Sequence, residues 1–148
     1  MLDGYYEGNF INGEYHGKGT LYYKDGKIWN YGDFQNGKFN GEGTFYSKDG
    51  LKYVGEFNND YLNGKGKLIN QEKGKIIYEG DFKLSNMDGN GKFYFDNNYY
   101  YIGQFKNSKM DVMEQYIMKK EKLNMKENSK MINLKTQLFC KNYFLYLN

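Results

Sequence analysis

Glycine and phenylalanine recur in this chain at a fixed separation and a fixed period. Gly8, Gly32, Gly55, Gly80 and Gly103 are spaced by 24, 23, 25 and 23 residues. Two residues after each comes a phenylalanine: Phe10, Phe34, Phe57, Phe82 and Phe105. Nine residues after the first four come Gly17, Gly41, Gly64 and Gly89, each opening a Gly-x-Gly that ends at Gly19, Gly43, Gly66 or Gly91. Two residues further on sit Leu21, Phe45, Leu68 and Phe93. Self-similarity at such a period belongs to arrays in which each unit buries its apolar face only against its neighbours.

The unit reads as a β-hairpin. Tyr6, Gly8 and Phe10 alternate with Glu7 and Asn9, the period of a strand with one buried face. Asn12-Gly13 and Asn36-Gly37 are dipeptides of the type I′ turn, whose central residues both need positive φ. Asn59-Asp60 and Leu84-Ser85-Asn86 are weaker versions. Lys24-Asp25-Gly26 and Lys48-Asp49-Gly50 read as turns into the next unit. With 17 tyrosines, 11 phenylalanines, 19 glycines and no proline, the composition suits β-structure with tight turns. The fold expected is an all-β repeat body, a single-layer antiparallel β-hairpin meander of eight or nine strands, followed by an α-helical C-terminal tail. Counted by period, Gly17, Gly19 and Leu21 share a face of the returning strand. The rings of Phe10 or Phe34 are therefore expected to lie across Gly17 and Gly19, since a repeated strand glycine marks close approach by another group.

The stretches Tyr6-Glu7-Gly8-Asn9-Phe10 to His16-Gly17-Lys18-Gly19-Thr20, and Tyr53-Val54-Gly55-Glu56-Phe57 to Asn63-Gly64-Lys65-Gly66-Lys67, resemble the MORN (membrane occupation and recognition nexus) repeat. The resemblance covers residues 5–105. Full units start at Tyr6, Asn30, Tyr53 and Tyr78, and a partial one at Tyr101. Asn30 departs from the leading tyrosine, Val112 stands where the fifth unit is due a glycine, and the third unit is two residues longer near 71–75. The resemblance implies a non-catalytic scaffold or adaptor in a cytoskeletal, flagellar or cortical assembly, or a regulatory module of a larger protein. It also brings an association with phospholipids.

Every glycine lies between Gly4 and Gly103, and charge divides at the same point. Residues 1–105 hold 12 lysines and 14 acids, net −2; residues 106–148 hold 9 lysines and 4 acids, net +5. The chain is accordingly divided into a repeat array, 1–108, and a basic tail, 109–148. From Met110 to Lys126 helix formers dominate, with Met110, Val112, Met113, Tyr116, Ile117 and Leu123 toward one side. A later apolar stretch, Leu138-Phe139-Cys140 and Tyr143 to Leu147, is too short to span a bilayer. With one cysteine, and neither a signal-like start nor an 18-residue apolar run, a cytoplasmic location is expected, with association to cytoskeleton or membrane.

Catalysis finds little support. His16 is the only histidine and sits where other units have Asn40, Asn63 and Asp88. Asp25 and Asp49 belong to Asp-Gly turns, and Cys140 reads as an apolar residue. Gly17-Lys18-Gly19-Thr20 lacks phosphate-loop spacing and lies in a strand. No enzyme activity, cofactor or metal is expected. Nor is nucleic acid, given an acidic body and no arginine. Two binding hypotheses remain. The first is a protein-interaction face made by Tyr6, Phe10, Leu21, Phe34, Phe45, Tyr53, Phe57, Leu68, Tyr78, Phe82, Phe93 and Phe105, covered by a partner's amphipathic helix, a second copy of the chain as a homodimer, or the tail. The second is contact with anionic phospholipid through Lys119, Lys120, Lys122, Lys126 and Lys130.

Overall fold

The computed structural model describes residues 4–96 and 99–111, with the backbone alone for 116–119. Five hairpins follow one another: β1 (Gly4–Ile11) with β2 (Glu14–Tyr23), β3 (Ile28–Gln35) with β4 (Lys38–Tyr46), β5 (Leu51–Asn58) with β6 (Tyr61–Asn70), β7 (Lys75–Lys83) with β8 (Asn86–Tyr94), and β9 (Tyr99–Lys106) with β10 (Lys109–Met110). They join in sequence order into one antiparallel sheet, a meander without crossovers. A last strand, β11 (Tyr116–Lys119), pairs with β9 along the same edge as β10.

All five hairpin turns have the same backbone. Asn12 and Gly13, Asn36 and Gly37, Asn59 and Asp60, Leu84 and Ser85, and Asn107 and Ser108 all lie at positive φ, between 48° and 79°. These are type I′ turns, whose twist matches that of the flanking strands. Successive turns also bind one another. The N–H of Gly37 donates to the carbonyl of Tyr15, Asp60 to Phe39, Ser85 to Leu62, and Ser108 to Met87, at 2.9 to 3.0 Å. Where glycine is replaced, the new side chain accepts the reciprocal bond: Phe39 N–H donates to Asp60 Oδ1, Leu62 to Ser85 Oγ and Met87 to Ser108 Oγ. The later turns thus tolerate non-glycine residues because the side chain stitches one hairpin to the previous one. The expected turns at Gly26 and Gly50 also form, each closed by a bond from the glycine N–H to Tyr23 or Ser47.

One line of glycines runs across the sheet. Gly8, Gly19, Gly32, Gly43, Gly55, Gly66, Gly80, Gly91 and Gly103 stand opposite one another through nine consecutive strands. Just beyond this stripe each of the first four hairpins shifts register by two residues, the extra ones lying in the returning strand. The bulge holds Gly17, Gly41, Gly64 and Gly89 at φ between 66° and 124°, where an L side chain is strained.

This bulge corrects the sequence reading. Counting by twos carries Gly17 onto the face of Gly19, but the positive φ of the bulge turns it away. A Cβ at Gly17 would meet the Asn9 side chain, one at Gly41 the Asp33 Cβ at 3.0 Å, and one at Gly64 the Glu56 carboxylate at 2.5 Å. No ring lies there. The rings cover the stripe instead.

The expected helix falls largely outside the described residues. Where the backbone is described in that stretch, at Lys109–Met110 and Tyr116–Lys119, it is strand. Between β10 and β11 the register against β9 moves by three residues, from Phe105 opposite Met110 to Ile102 opposite Tyr116. The two strands therefore serve as a broken returning strand for the fifth hairpin, extending the sheet past residue 108.

Candidate interaction face

Two rows of large side chains flank the glycine stripe on one face. Along one side run Tyr6, Leu21, Asn30, Phe45, Tyr53, Leu68, Tyr78, Phe93 and Tyr101, each opposite the next. Along the other run the hairpin pairs Phe10 with Tyr15, Phe34 with Phe39, Phe57 with Leu62, Phe82 with Met87 and Phe105 with Met110. All twelve residues expected on the interaction face stand in these rows. The residues missed were Asn30 and Tyr101 in the first row and Tyr15, Phe39, Leu62, Met87 and Met110 in the second. The signal was available: Asn30 and Tyr101 stand at the leading positions of their units, and each of the other five follows the second turn residue by two.

The stripe is the floor on which these side chains lie. Tyr6 covers Gly8 and Gly19, Tyr78 covers Gly80 and Gly91, and Tyr101 covers Gly103. Each hydroxyl reaches over the glycines to a carbonyl three residues along its own strand, that of Asn9, Asp81 or Gln104. The Tyr101 hydroxyl lies equally within reach of the Asp111 carbonyl, at 2.9 Å. A phenylalanine at these positions would leave such carbonyls without that donor.

In the second and third units the cover comes from the opposite row. Asn30 is too short, and Phe39 lies over Gly32 and Gly43. In the third unit Leu62 contacts Gly55 and Gly66, with Phe82 also against Gly66. Asn30 is buried, and its Oδ1 has no hydrogen-bond partner among the described residues. Rings meet across unit boundaries, Tyr6 with Phe34 at 5.1 Å, Phe39 with Phe57 at 4.3 Å and Tyr78 with Phe105 at 4.9 Å between centroids. Edge-on and tilted contacts of this kind add to the stabilisation from area alone.

The face is thereby both core and surface. Leu21, Phe34, Phe39, Phe57, Leu62, Tyr78, Phe82, Tyr101 and Phe105 are buried within a single layer. Half-buried above and beside them are Tyr6, Tyr15, Phe45, Tyr53, Leu68, Met87 and Phe93. Of the twelve expected contact residues, then, Leu21, Phe34, Phe57, Tyr78, Phe82 and Phe105 hold the fold, while Tyr6, Phe10, Phe45, Tyr53, Leu68 and Phe93 keep area open to a partner.

The opposite face is the more polar one, although Tyr31 and Ile102 stand exposed on it. Glu7, Thr20, Tyr31, Thr44, Val54, Lys67, Glu79, Lys92 and Ile102 follow one another across it. Lys18 pairs with Asp33 and Lys65 with Asp81, exposed ion pairs worth at most about 1 kcal/mol each. Lys92 lies over Tyr94 and Tyr100, at 4.7 and 4.1 Å from the ring centroids. Burial first, then the Asp81 carboxylate, raises the Tyr78 phenol to about 12. Tyr94 also rises to about 12, through desolvation and its hydrogen bond to Glu79. Of the lysines expected at a membrane, Lys119 is described only as backbone in β11; Lys120, Lys122, Lys126 and Lys130 lie outside the described residues.

A stripe of glycines covered by the leading tyrosine in the first, fourth and fifth units, and by Phe39 and Leu62 in the second and third, is the geometry against which family membership can be read. The family model for the MORN repeat matches residues 6–28, 31–52, 53–70, 78–98 and 101–113. The chain belongs to the MORN repeat family. Sequence comparison with curated proteins finds no match. The five MORN units coincide with the five hairpins, and the fifth match ends three residues past β10. Among the described residues no helix is long and apolar enough to cross a membrane, and no three His, Cys, Asp or Glu side chains converge as a metal site would require.

Proposed function

We propose that this MORN array is a non-catalytic scaffold that binds another protein across its aromatic face. One observation carries the reading: Phe45, Tyr53 and Leu68 are only partly buried and stand opposite one another in consecutive strands, with partly buried Phe93 beyond Tyr78, over an apolar layer that no second layer covers among the described residues. Contiguous apolar surface of this kind marks binding sites in soluble proteins. The row crosses the strands in register and is mostly rings, with Leu21 and Leu68 among them, which suits the apolar ridge of an amphipathic helix. Family membership is consistent with a role in a cytoskeletal or cortical assembly.

A second reading rests on charge. Residues 106–148 carry net +5 and the described repeats are faintly acidic, so contact with anionic lipid would run through the tail lysines, Lys119, Lys120, Lys122, Lys126 and Lys130. Salt separates the two. Lysine attraction to an anionic surface is worth about 1 kcal/mol per residue and is screened within about 10 Å at 0.1 M salt, whereas apolar docking is nearly insensitive to salt. The full chain is to be titrated with a labelled amphipathic helix and with phosphatidylserine vesicles, each at low and moderate salt. The scaffold reading expects helix binding that is nearly unchanged by salt and lost in Tyr53→Lys and Phe93→Lys. Absence of helix binding, with vesicle binding that falls steeply with salt, would replace it by the lipid reading.

A further inference from the structure

The sheet ends differently on its two sides. On the C-terminal side β9 is covered by β10 and β11. On the N-terminal side β1 pairs with β2 alone among the described residues. The repeat shows what β1 lacks. Phe34, Phe57, Phe82 and Phe105 are 4%, 6%, 4% and 2% exposed, whereas Phe10, in the same position of the first unit, is 55% exposed. Tyr5 and Ile11 beside it are 49% and 52% exposed.

The backbone of that edge is ready to pair. The two-residue turn makes Ile11 and Glu14 a hydrogen-bonded pair, so alternation points the N–H and C=O of Tyr6, Gly8 and Phe10 away from β2. Gly32, equivalent to Gly8, stands opposite Gly19 of the preceding strand; Gly8 has no such neighbour among the described residues. Native edges are blunted by lysine, proline or bulges. The segment Gly-Tyr-Tyr-Glu-Gly-Asn-Phe-Ile has neither lysine nor proline, and its only charge is Glu7. The extra residues of the first bulge lie in β2.

We propose that this edge is completed by β1 of a second copy of the chain, antiparallel, with Gly8 opposite Gly8 of that copy. The segment is self-complementary about this point. Tyr6 then faces Phe10, Glu7 faces Asn9 and Tyr5 faces Ile11, each pair occurring twice as an isologous contact requires. No like charges meet. The twofold axis stands perpendicular to the sheet, so the aromatic faces of both copies lie on the same side and the glycine stripe runs on through both. A slip of one residue would set outward main-chain groups against ones already used by β2. A slip of two would set Gly8 opposite Tyr6 or Phe10 and break the stripe. Tyr6 and Phe10 belong to both the edge and the aromatic face, but Tyr53 and Phe93, whose substitution tests helix binding, lie in β5 and β8 away from the edge, so failure here leaves that test untouched.

Sedimentation equilibrium on the full chain is expected to approach twice the 17.5 kDa of one copy, reversibly with concentration, because the contact is one strand wide. Phe10→Lys, which charges the edge, is expected to weaken self-association by roughly tenfold or more. The register is read by disulfide trapping in a Cys140→Ser background. Glu7 and Asn9 would form a non-hydrogen-bonded pair, with Cβ atoms close enough for a disulfide. Chains carrying Glu7→Cys mixed with chains carrying Asn9→Cys are expected to cross-link faster than either alone. This readout stands even if Phe10→Lys folds poorly. A monomer at every concentration, as a strand from a different protein at this edge would leave, overturns the proposal. So does cross-linking that is no faster in the mixture than in the separate chains.

Discussion

Leu84 is the residue least suited to its backbone. It is exposed, lies at φ 48° and opens the fourth hairpin turn, where the other four turns have asparagine (Asn12, Asn36, Asn59 and Asn107) in the same conformation. A left-handed conformation costs an ordinary L residue about 1–2 kcal/mol, and asparagine less. Leu84→Asn is therefore expected to stabilise the protein by roughly 0.5–1 kcal/mol, measured as a rise in the denaturant midpoint. Tyr78 offers the opposite case. Its phenol is held at about 12 against an ordinary value of 10.0. A raised folded-state value means that stability is complete below pH 10 and is lost as pH climbs from 10 toward 12, because the unfolded chain ionises first. Tyr78→Phe is expected to make alkaline unfolding shallower in that window. At neutral pH it should cost about 1 kcal/mol for the bond to the Asp81 carbonyl. Urea midpoints from pH 8 to 12 check both parts; an unchanged alkaline slope would contradict the assignment.

The hairpin is the element that sequence made easiest to read, and its bulge the hardest. Asn12-Gly13 and Asn36-Gly37 announce a type I′ turn because both residues tolerate positive φ. Leu84-Ser85 makes the same turn with a weaker local preference, since Ser85 Oγ accepts the Leu62 N–H from a strand more than twenty residues away. No local pattern carries that bond. The face of Gly17 was misread for a related reason: periodicity assigns faces only to extended backbone, and the bulged glycine leaves it at positive φ while Tyr15 and Gly19 on either side keep the count. The strands at Lys109–Met110 and Tyr116–Lys119 were hidden by helix-favouring composition, which an unpaired β9 edge outweighs. The stripe separates two kinds of glycine by experiment. A Cβ at Gly91 would fall within the Tyr78 ring, so Gly91→Ala is expected to cost about 2–4 kcal/mol or prevent folding, as overpacking does. Gly13→Ala meets nothing within 4 Å and should cost about 1–2 kcal/mol, through φ alone. Equal melting temperatures for the two variants would remove the stripe from the account.

At the scale of the molecule, a ten-strand meander solves a problem that one layer normally cannot. Without a second sheet or a helix layer among the described residues, burial must be found within the plane, and the glycines supply it by letting tyrosine, phenylalanine and leucine lie flat on the backbone. What this leaves is a sheet with a more polar face and an aromatic face whose upper surface is uncovered among the described residues. The row itself was legible from the repeat; which of its members are buried was not, because that depends on which row sends the side chain over each glycine pair. Tyr78 is covered and Tyr53 is half-open although both lead their units. The measurement that bears most directly on the central claim is an aromatic- and methyl-resolved NMR titration of the full chain with an amphipathic helix. Shifts confined to Tyr6, Phe45, Tyr53, Leu68 and Phe93 are the predicted result; shifts confined to Tyr31, Tyr46, Val54 and Ile102 on the polar face would contradict it.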